Sequence, residues 1–379
     1  MRFFLLITTF TSLYTSMHVY AFLKLRRAVA LTGIATALLA GFMILMILTP
    51  LIVRLVESAN FEKEARIFAY VGYTWMGIMF LFFAASFTVD VWRFLVYVAE
   101  GVLKTGLAGV KVSARQAFFL PLFAAVLAAG YGTTEAMNIR TETIVLKSPK
   151  ITRPIRIVQI SDVHLGLLIR EPRLSNILKK VAAASPDMLV STGDLVDGQT
   201  DSLNGVGNLL KEIKAPLGKY AVTGNHEFYA GLDRSLEFMN QAGFRVLRGE
   251  GASVAGLINI AGVDDPVVRS YGPSREIPER QLLSGLPKDK FTLFLKHRPD
   301  VEQSSEGLFD LQLSGHAHKG QLFPFTLVVR LVFPRIDGLY SLSSGSWLYV
   351  SRGTGTWGPP IRFLAPPEVS VIDLVPENP

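Results

Sequence analysis

Five of the six histidines in the chain follow short apolar runs and stand beside a carboxylate, an asparagine, an arginine or a glycine. Asp162-Val163-His164 follows the run 155–160, and Gly193-Asp194-Leu195-Val196-Asp197 follows the run 187–191. Gly224-Asn225-His226-Glu227 follows 218–222, His297 with Arg298 follows 291–296, and Gly315-His316-Ala317-His318 follows 311–313. Imidazole nitrogens mixed with carboxylate and amide oxygens suit Mn, Fe, Zn or Co better than Ca. Two such cations roughly 3.5–4 Å apart can activate a bridging hydroxide and stabilise an in-line phosphoryl displacement. Residues two apart in an extended segment point the same way, which pairs Asp162 with His164 and His316 with His318. Asp194 is the natural bridge between two cations. Glycines 193, 224 and 315 permit the tight turns that would bring these side chains inward.

Something must gather five distant motifs. The runs before them are short, apolar and β-branched, the pattern of buried strands. Residues 174–184, 203–213 and 235–242 read as helices, and further strand-like runs lie at 245–247, 257–261 and 369–374. Strands alternating with helices, then mostly strands, predict an α/β domain of two packed mixed β-sheets flanked by helices over 155–379. In open α/β sheets the ligand crevice lies at the carboxyl ends of the strands, where all five motifs begin.

The first third is different. Apolar residues make up 50% of the 379-residue chain and charged ones 18%, against about 25% charged in soluble proteins. Most of the apolar excess falls in 1–135, which reads as a transmembrane helical bundle with spans near 3–23, 28–53, 67–89 and 117–132; 136–154 reads as a linker. The first span lacks the small-residue cleavage site of a signal peptide and is expected to be retained. Lys24, Arg26 and Arg27, and then Arg93, Lys104, Lys111 and Arg115, mark the first and third loops as cytoplasmic by the positive-inside rule. That puts both termini and the catalytic domain outside the cytoplasm, although Arg140, Lys147, Lys150, Arg153 and Arg156 count against this orientation. His18, near the end of the first span, is expected to reach the interface. With no cysteine in the chain, disulfides, thiolate metal sites and cysteine nucleophiles are excluded.

The blocks DVH, GDLVD, GNHE, the lone His297 and GHAH, in this order, resemble the calcineurin-like metallophosphoesterases over 155 to about 376. The resemblance implies two divalent metal ions. Asp162, His164, Asp194 and His318 would hold one, and Asp194, Asn225, His297 and His316 the other. It also implies that His226 acts on the phosphate or the leaving oxygen, that Glu227 orients the groups around it, and that Asp197 supports the site by hydrogen bonds. The tail GLY…LYVSRGTGTWGPPIRF…PPE is similar to a bacterial subgroup of membrane-attached phosphoesterases, which implies a multi-pass protein of an inner or plasma membrane. Ala317 and Lys319 replace the Thr and Gly more usual there; Lys319 would then bear on substrate charge preference. Arg298 and Arg352 either contact substrate phosphate or brace their loops.

The expected function is membrane-anchored hydrolysis of a phosphoester or pyrophosphate in a membrane lipid, a lipid-linked phosphate or a cell-envelope polymer. One alternative is a cytoplasmic-face pyrophosphatase of a nucleotide-linked glycolipid precursor. Another is a transporter or receptor whose phosphoesterase domain only binds. Nucleic acid is not expected, since no basic stripe with interleaved aromatics occurs. The apolar run 325–333 reads first as a buried strand. Its rival reading is an acyl-chain groove or a surface leaning on the bilayer, with Arg330 and Arg335 at the headgroups and Trp347 and Trp357 joining it.

Overall fold

The computed structural model describes residues 2–198, 203, 205–271 and 277–377. It divides into two compact units, Met1–Thr134 with Gly358–Phe363, and Glu135–Trp357 with Leu364–Pro379.

The first unit is helical: α1 (Arg2–Ala28), α2 (Gly33–Ser58), α3 (Glu62–Leu103) and most of α4 (Ala114–Met137). Among the described residues, three helical stretches are long and apolar enough to cross a membrane: Gly33–Ser58, Glu62–Leu103 and Ala108–Met137. The first of the four expected spans is helical but is not among them. Between Thr8 and His18, α1 carries Thr8, Thr9, Thr11, Ser12, Thr15 and Ser16, which dilute its apolar surface.

The third helix also differs from expectation, since it does not end with the span expected at 67–89. The helix continues to Leu103 because α1 supplies partners for the carboxylate: Lys24 Nζ lies 2.9 Å from Asp90 Oδ1, and Tyr20 OH donates to Oδ2 at 2.5 Å. His18 is enclosed within this unit, only 1% exposed. The Trp75 indole N–H donates to its Nε2 at 2.9 Å, so Nδ1 carries the proton and donates to Tyr14 O at 2.8 Å. Residues 358–363 belong to this unit too, and the Arg362 N–H donates to Gly132 O at 2.9 Å.

The second unit is α/β. Its strands are β1 (Arg140–Ser148), β2 (Ile155–Ile160), β3 (Leu165–Gly166), β4 (Met188–Ser191), β5 (Val196–Asp197), β6 (Lys219–Ala221) and β7 (Arg245–Val246). They continue with β8 (Glu250–Val254), β9 (Ile258–Gly262), β10 (Phe291–Leu295), β11 (Leu311–Ser314), β12 (Gly338–Ser341), β13 (Trp347–Val350) and β14 (Glu368–Pro376). Helices α5 (Glu171–Ala183), α6 (Val206–Lys211), α7 (Asn225–Ala230), α8 (Leu232–Gln241), α9 (Glu279–Ser284) and α10 (Phe325–Val332) complete it. Of the helix expected at 203–213, the described part is α6; Asn204 lies outside the described residues.

Two six-stranded sheets run β1-β14-β2-β4-β6-β7 and β12-β13-β11-β10-β9-β8. In the first, β2, β4, β6 and β7 are mutually parallel, and β14 is antiparallel to β2. In the second, β9, β10, β11 and β13 are parallel, with β8 and β12 antiparallel at the edges. The alternation along β2 shows how the layers form. Ile155 and Ile157 join Leu293, Leu295, Leu311 and Leu313 in a core between the sheets. Val158 and Ile160 point the other way, onto Leu174, Ile177 and Val181 of α5 and Met239 of α8. Each such fully buried aliphatic side chain contributes about 1.5–3 kcal/mol.

Two expectations are corrected here. The stretch 136–154 is not a free linker: β1 pairs in parallel with β14 over nine residues, from Arg140↔Glu368 to Ser148↔Pro376. The run 325–333 is not a buried strand: Phe325–Val332 is a helix in which Thr326 alone is buried.

Candidate metal centre

Every motif sits where a parallel strand ends. Asp162 and His164 follow β2, Asp194 follows β4 and Asn225 opens α7 after β6; His297 follows β10, and His316 and His318 follow β11. Both sheets therefore contribute. The backbone there is unusual: Asp162 (φ 53°), His164 (55°), Asp194 (50°), His316 (67°) and His318 (46°) are all left-handed non-glycine residues. Each such residue costs roughly 1–2 kcal/mol, and a cluster of them marks a place where geometry is held for function.

The donor atoms converge. His164 Nε2 lies 3.1 Å from His318 Nε2, and His318 Nε2 lies 3.3 Å from Asp162 Oδ1. His297 Nε2 lies 3.0 Å from His316 Nδ1 and 3.2 Å from Asp194 Oδ2. Asp194 Oδ2 also lies 4.0 Å from His164 Nε2, so this one carboxylate stands between the two groups. Among the described residues, Asp162–His164–His318, His164–Asp194–His226 and Asp194–His297–His316 each present ligand atoms within 4.8 Å of one another. Asn225 Oδ1 is buried with no hydrogen-bond partner among the described residues, as befits an oxygen reserved for a cation. Imidazoles and carboxylates gathered in this way are a donor set that fits divalent ions.

Surrounding groups fix the ligands. Thr192 O accepts from His297 Nδ1 at 2.8 Å, leaving Nε2 to face Asp194. Asp162 accepts the His316 N–H, at 3.0 Å to Oδ1, and the Ser161 hydroxyl. Glu227 accepts four backbone N–H groups: Gly224 (2.7 Å), Leu195 (2.7 Å), Asp194 (3.0 Å) and Val196 (3.2 Å). It thereby ties the Asp194 loop to the start of α7. Close approach explains two glycines. A Cβ on Gly224 would lie 2.1 Å from Asp194 Oδ1, and one on Gly315 would lie 2.0 Å from Ser161 Oγ and 2.2 Å from Asp162 Oδ2.

Electrostatics pairs unlike rings. Burial, and then the neighbouring imidazoles, lower His164 and His316 each to about 3. Burial opposes charging His297 as well, but the Asp194 carboxylate outweighs it and raises this ring to about 10. Burial is likewise overcome at His226 by Asp194 and Asp197, which raise it to about 9. Desolvation and the Asp194 charge push Glu227 up to about 7, against its four N–H donors. Cations taken up at such a site compete with these protons.

Residues 155–320 match the calcineurin-like phosphoesterase family. An uncharacterized metallophosphoesterase of Aquifex aeolicus is 39% identical over 257 residues, covering 67% of this chain and 98% of its own. The chain belongs to the calcineurin-like metallophosphoesterases. A metallophosphoesterase of Helicobacter pylori is 33% identical over 275 residues, 71% of this chain and 72% of that one. A transmembrane protein with metallophosphoesterase domain from Danio rerio is 32% identical over 277 residues, 69% of this chain and 63% of its own.

In this metallophosphoesterase His226 is held beside the ligands. Its backbone N–H donates to Asp194 Oδ1 at 2.8 Å, and its Nδ1 lies 2.9 Å from Asp197 Oδ1. The ring packs edge-on against His164, with centroids 4.6 Å apart. The three expected cations outside the ligand set are engaged elsewhere. Arg298 makes a two-point pair with Asp265 (2.7 and 2.9 Å), Lys319 pairs with Asp337 (2.9 Å), and Arg352 pairs with Glu142 and with Glu368 (2.6 Å). Arg352 therefore clamps β1 to the start of β14. Trp347 packs against the inter-sheet core rather than on an outer surface.

Sequence reasoning missed three aromatic neighbours of the site. Tyr229 packs on His226 at 5.4 Å, Trp357 stands 6.4 Å from the same ring, and Phe333 lies edge-on to His316 at 5.3 Å. Tyr229 lay three residues after His226, a spacing that shares a helix face. Trp357 and Phe333 drew notice only as parts of an apolar surface, and nothing in the sequence placed them beside the histidines.

Proposed function

We propose that this metallophosphoesterase is a membrane-anchored, dinuclear metal-dependent hydrolase of a phosphoester or pyrophosphate. The observation that carries this reading is the placement of Asp194 between two imidazole–carboxylate groups, one with Asp162, His164 and His318 and the other with His297, His316 and Asn225. Divalent ions held there would supply Lewis acidity toward phosphoryl oxygens and lower the pKa of water. Mn, Fe, Zn and Co all suit the donor set. The protein's own part is positional. Glu227 holds the Asp194 loop against α7, and Thr192 O orients His297. Asp197 engages His226 Nδ1, which leaves Nε2 as the nitrogen able to bind a phosphate oxygen or protonate a leaving group.

The three membrane-length helices and the transmembrane relative support a membrane setting; we take α1 as a fourth span and, from the Lys and Arg count of the loops, place both termini outside the cytoplasm. A site confined to that plane favours a phosphate carried on a membrane lipid or a lipid-linked molecule. The test is turnover of bis-p-nitrophenyl phosphate by the detergent-purified full chain loaded with each of the four metals. Asp194→Asn should lose about a thousand-fold in kcat/KM, on the several kcal/mol that bound cations contribute to phosphoryl transfer. A wild-type protein inert with every metal and every phosphoester tried would overturn the reading.

A further inference from the structure

The helix that follows the last histidine motif is built inside out. In α10 (Phe325–Val332) the buried residue is polar: Thr326, whose hydroxyl donates to Lys319 O at 2.9 Å. Phe325, Leu327, Val328, Leu331 and Val332 are exposed, Leu331 by 85% and Val332 by 68%. A surface helix of a soluble protein does the reverse, and a contiguous exposed apolar face of this kind marks a contact surface. Its setting says what the contact is. From Leu322 to Ile336 the chain has no acidic residue, while Arg330 and Arg335 supply positive charge. Apolar residues beside basic ones, on a chain that also carries membrane-length helices, are the chemistry of an interfacial helix on an anionic bilayer.

The surface adjoins the metal centre. α10 packs on the 3-10 turn His318–Gly320, which bears a candidate ligand. Phe333, one residue beyond the helix, lies against His316. A groove of about 550 Å³ opens there, lined by Val332, Phe333, Arg335 and Arg298 among others. Trp357, half exposed and near His226, is held to the root of α10 by two hydrogen bonds with Gln321, at 2.8 and 2.9 Å. Tryptophan favours the headgroup level of a bilayer.

We propose that α10, with Trp357 beside it, is a membrane-docking surface that seats the catalytic domain on lipid, so that phosphate at the headgroup level reaches the His316 side of the centre. This deepens the hydrolase reading and rests on it for the identity of the substrate, but the contact itself can be tested without turnover.

Because the chain has no cysteine, Leu331→Cys accepts a single environment-sensitive fluorophore on an exposed position. The labelled full chain is reconstituted into phosphatidylcholine–phosphatidylglycerol vesicles with or without brominated acyl chains, and Glu237→Cys, exposed on α8, is the control. The expected result is a blue-shifted emission at 331, quenched about two-fold or more by the brominated lipid, and neither effect at 237. Emission at 331 as water-like and unquenched as at 237 overturns the proposal. So does a blue shift that resists brominated lipid and grows with protein concentration, which would assign the face to a second copy of the chain. If the label is quenched yet no phosphoester is hydrolysed, docking stands and the hydrolase reading fails; the opposite pair of results fails docking alone.

Discussion

Two neighbouring regions of the phosphoesterase domain break the same rule in opposite directions. Around Asp194 the interior is filled with carboxylates and imidazoles, several with their donor atoms aimed at one another rather than at hydrogen-bond partners. Along α10, only a few residues further on, leucines, valines and a phenylalanine face outward while a threonine is tucked in. Buried polar groups need partners, and large exposed apolar patches call for a contact. The two inversions therefore point to two different occupants. Polar atoms turned inward are suited to cations, and apolar side chains turned outward are suited to lipid. A single stretch of chain, from Gly315 to Phe333, carries one inversion into the other.

Substitutions can break this contrast from the polar side. The largest effect after Asp194→Asn is expected at Gly315, where the added methyl of Gly315→Ala would sit within 2.2 Å of both Ser161 Oγ and Asp162 Oδ2. Backbone carrying His316 must then move, and the variant should fold with at least about a ten-fold loss of bound Mn, read by metal analysis of the purified protein. Unchanged metal content would show that Asp162 is not a ligand in its present pose. Next comes Glu227→Gln. A carboxamide presents one acceptor oxygen where four backbone N–H groups now converge, so metal affinity should fall by roughly 10–100-fold, as titration calorimetry would show.

The smallest effect on catalysis separates the site from its scaffold. Arg352→Ala removes the clamp on Glu142 and Glu368, and should cost about 3 kcal/mol at most, given how exposed Glu142 is. The melting temperature should drop while kcat/KM for a small phosphodiester stays within about two-fold. A large loss of activity at full stability would return Arg352 to the substrate.

The gathering of candidate ligands was legible in the sequence because its signal is local. Each motif is a few residues long, and each follows a run apolar enough to read as a strand, so strand ends and ligands were located together. What escaped was whatever depends on a distant partner. β1 was read as a linker since Arg140, Glu142 and Lys147 interrupt it, and its pairing with β14 lies more than two hundred residues away. The run 325–333 reads as a strand because seven apolar residues out of nine have no period that distinguishes a strand from a helix. Helicity there comes with a fold in which only Thr326 turns inward. The third span reads as ending at residue 89 because the lysine that pairs with the next residue, Asp90, is Lys24 on another helix.

The short stretch Gly358–Phe363 has a consequence for how the molecule can be taken apart. A chain that passes between two bodies once can be separated by one cut, and each piece keeps its own parts. This one passes between them three times, near residues 134, 357 and 363. A version trimmed to begin at Glu135 would still carry six residues that belong with the helices it had lost, Arg362 and its bond to Gly132 among them. Neither the helical unit nor the α/β unit can therefore be swapped for a homologous module by a single splice.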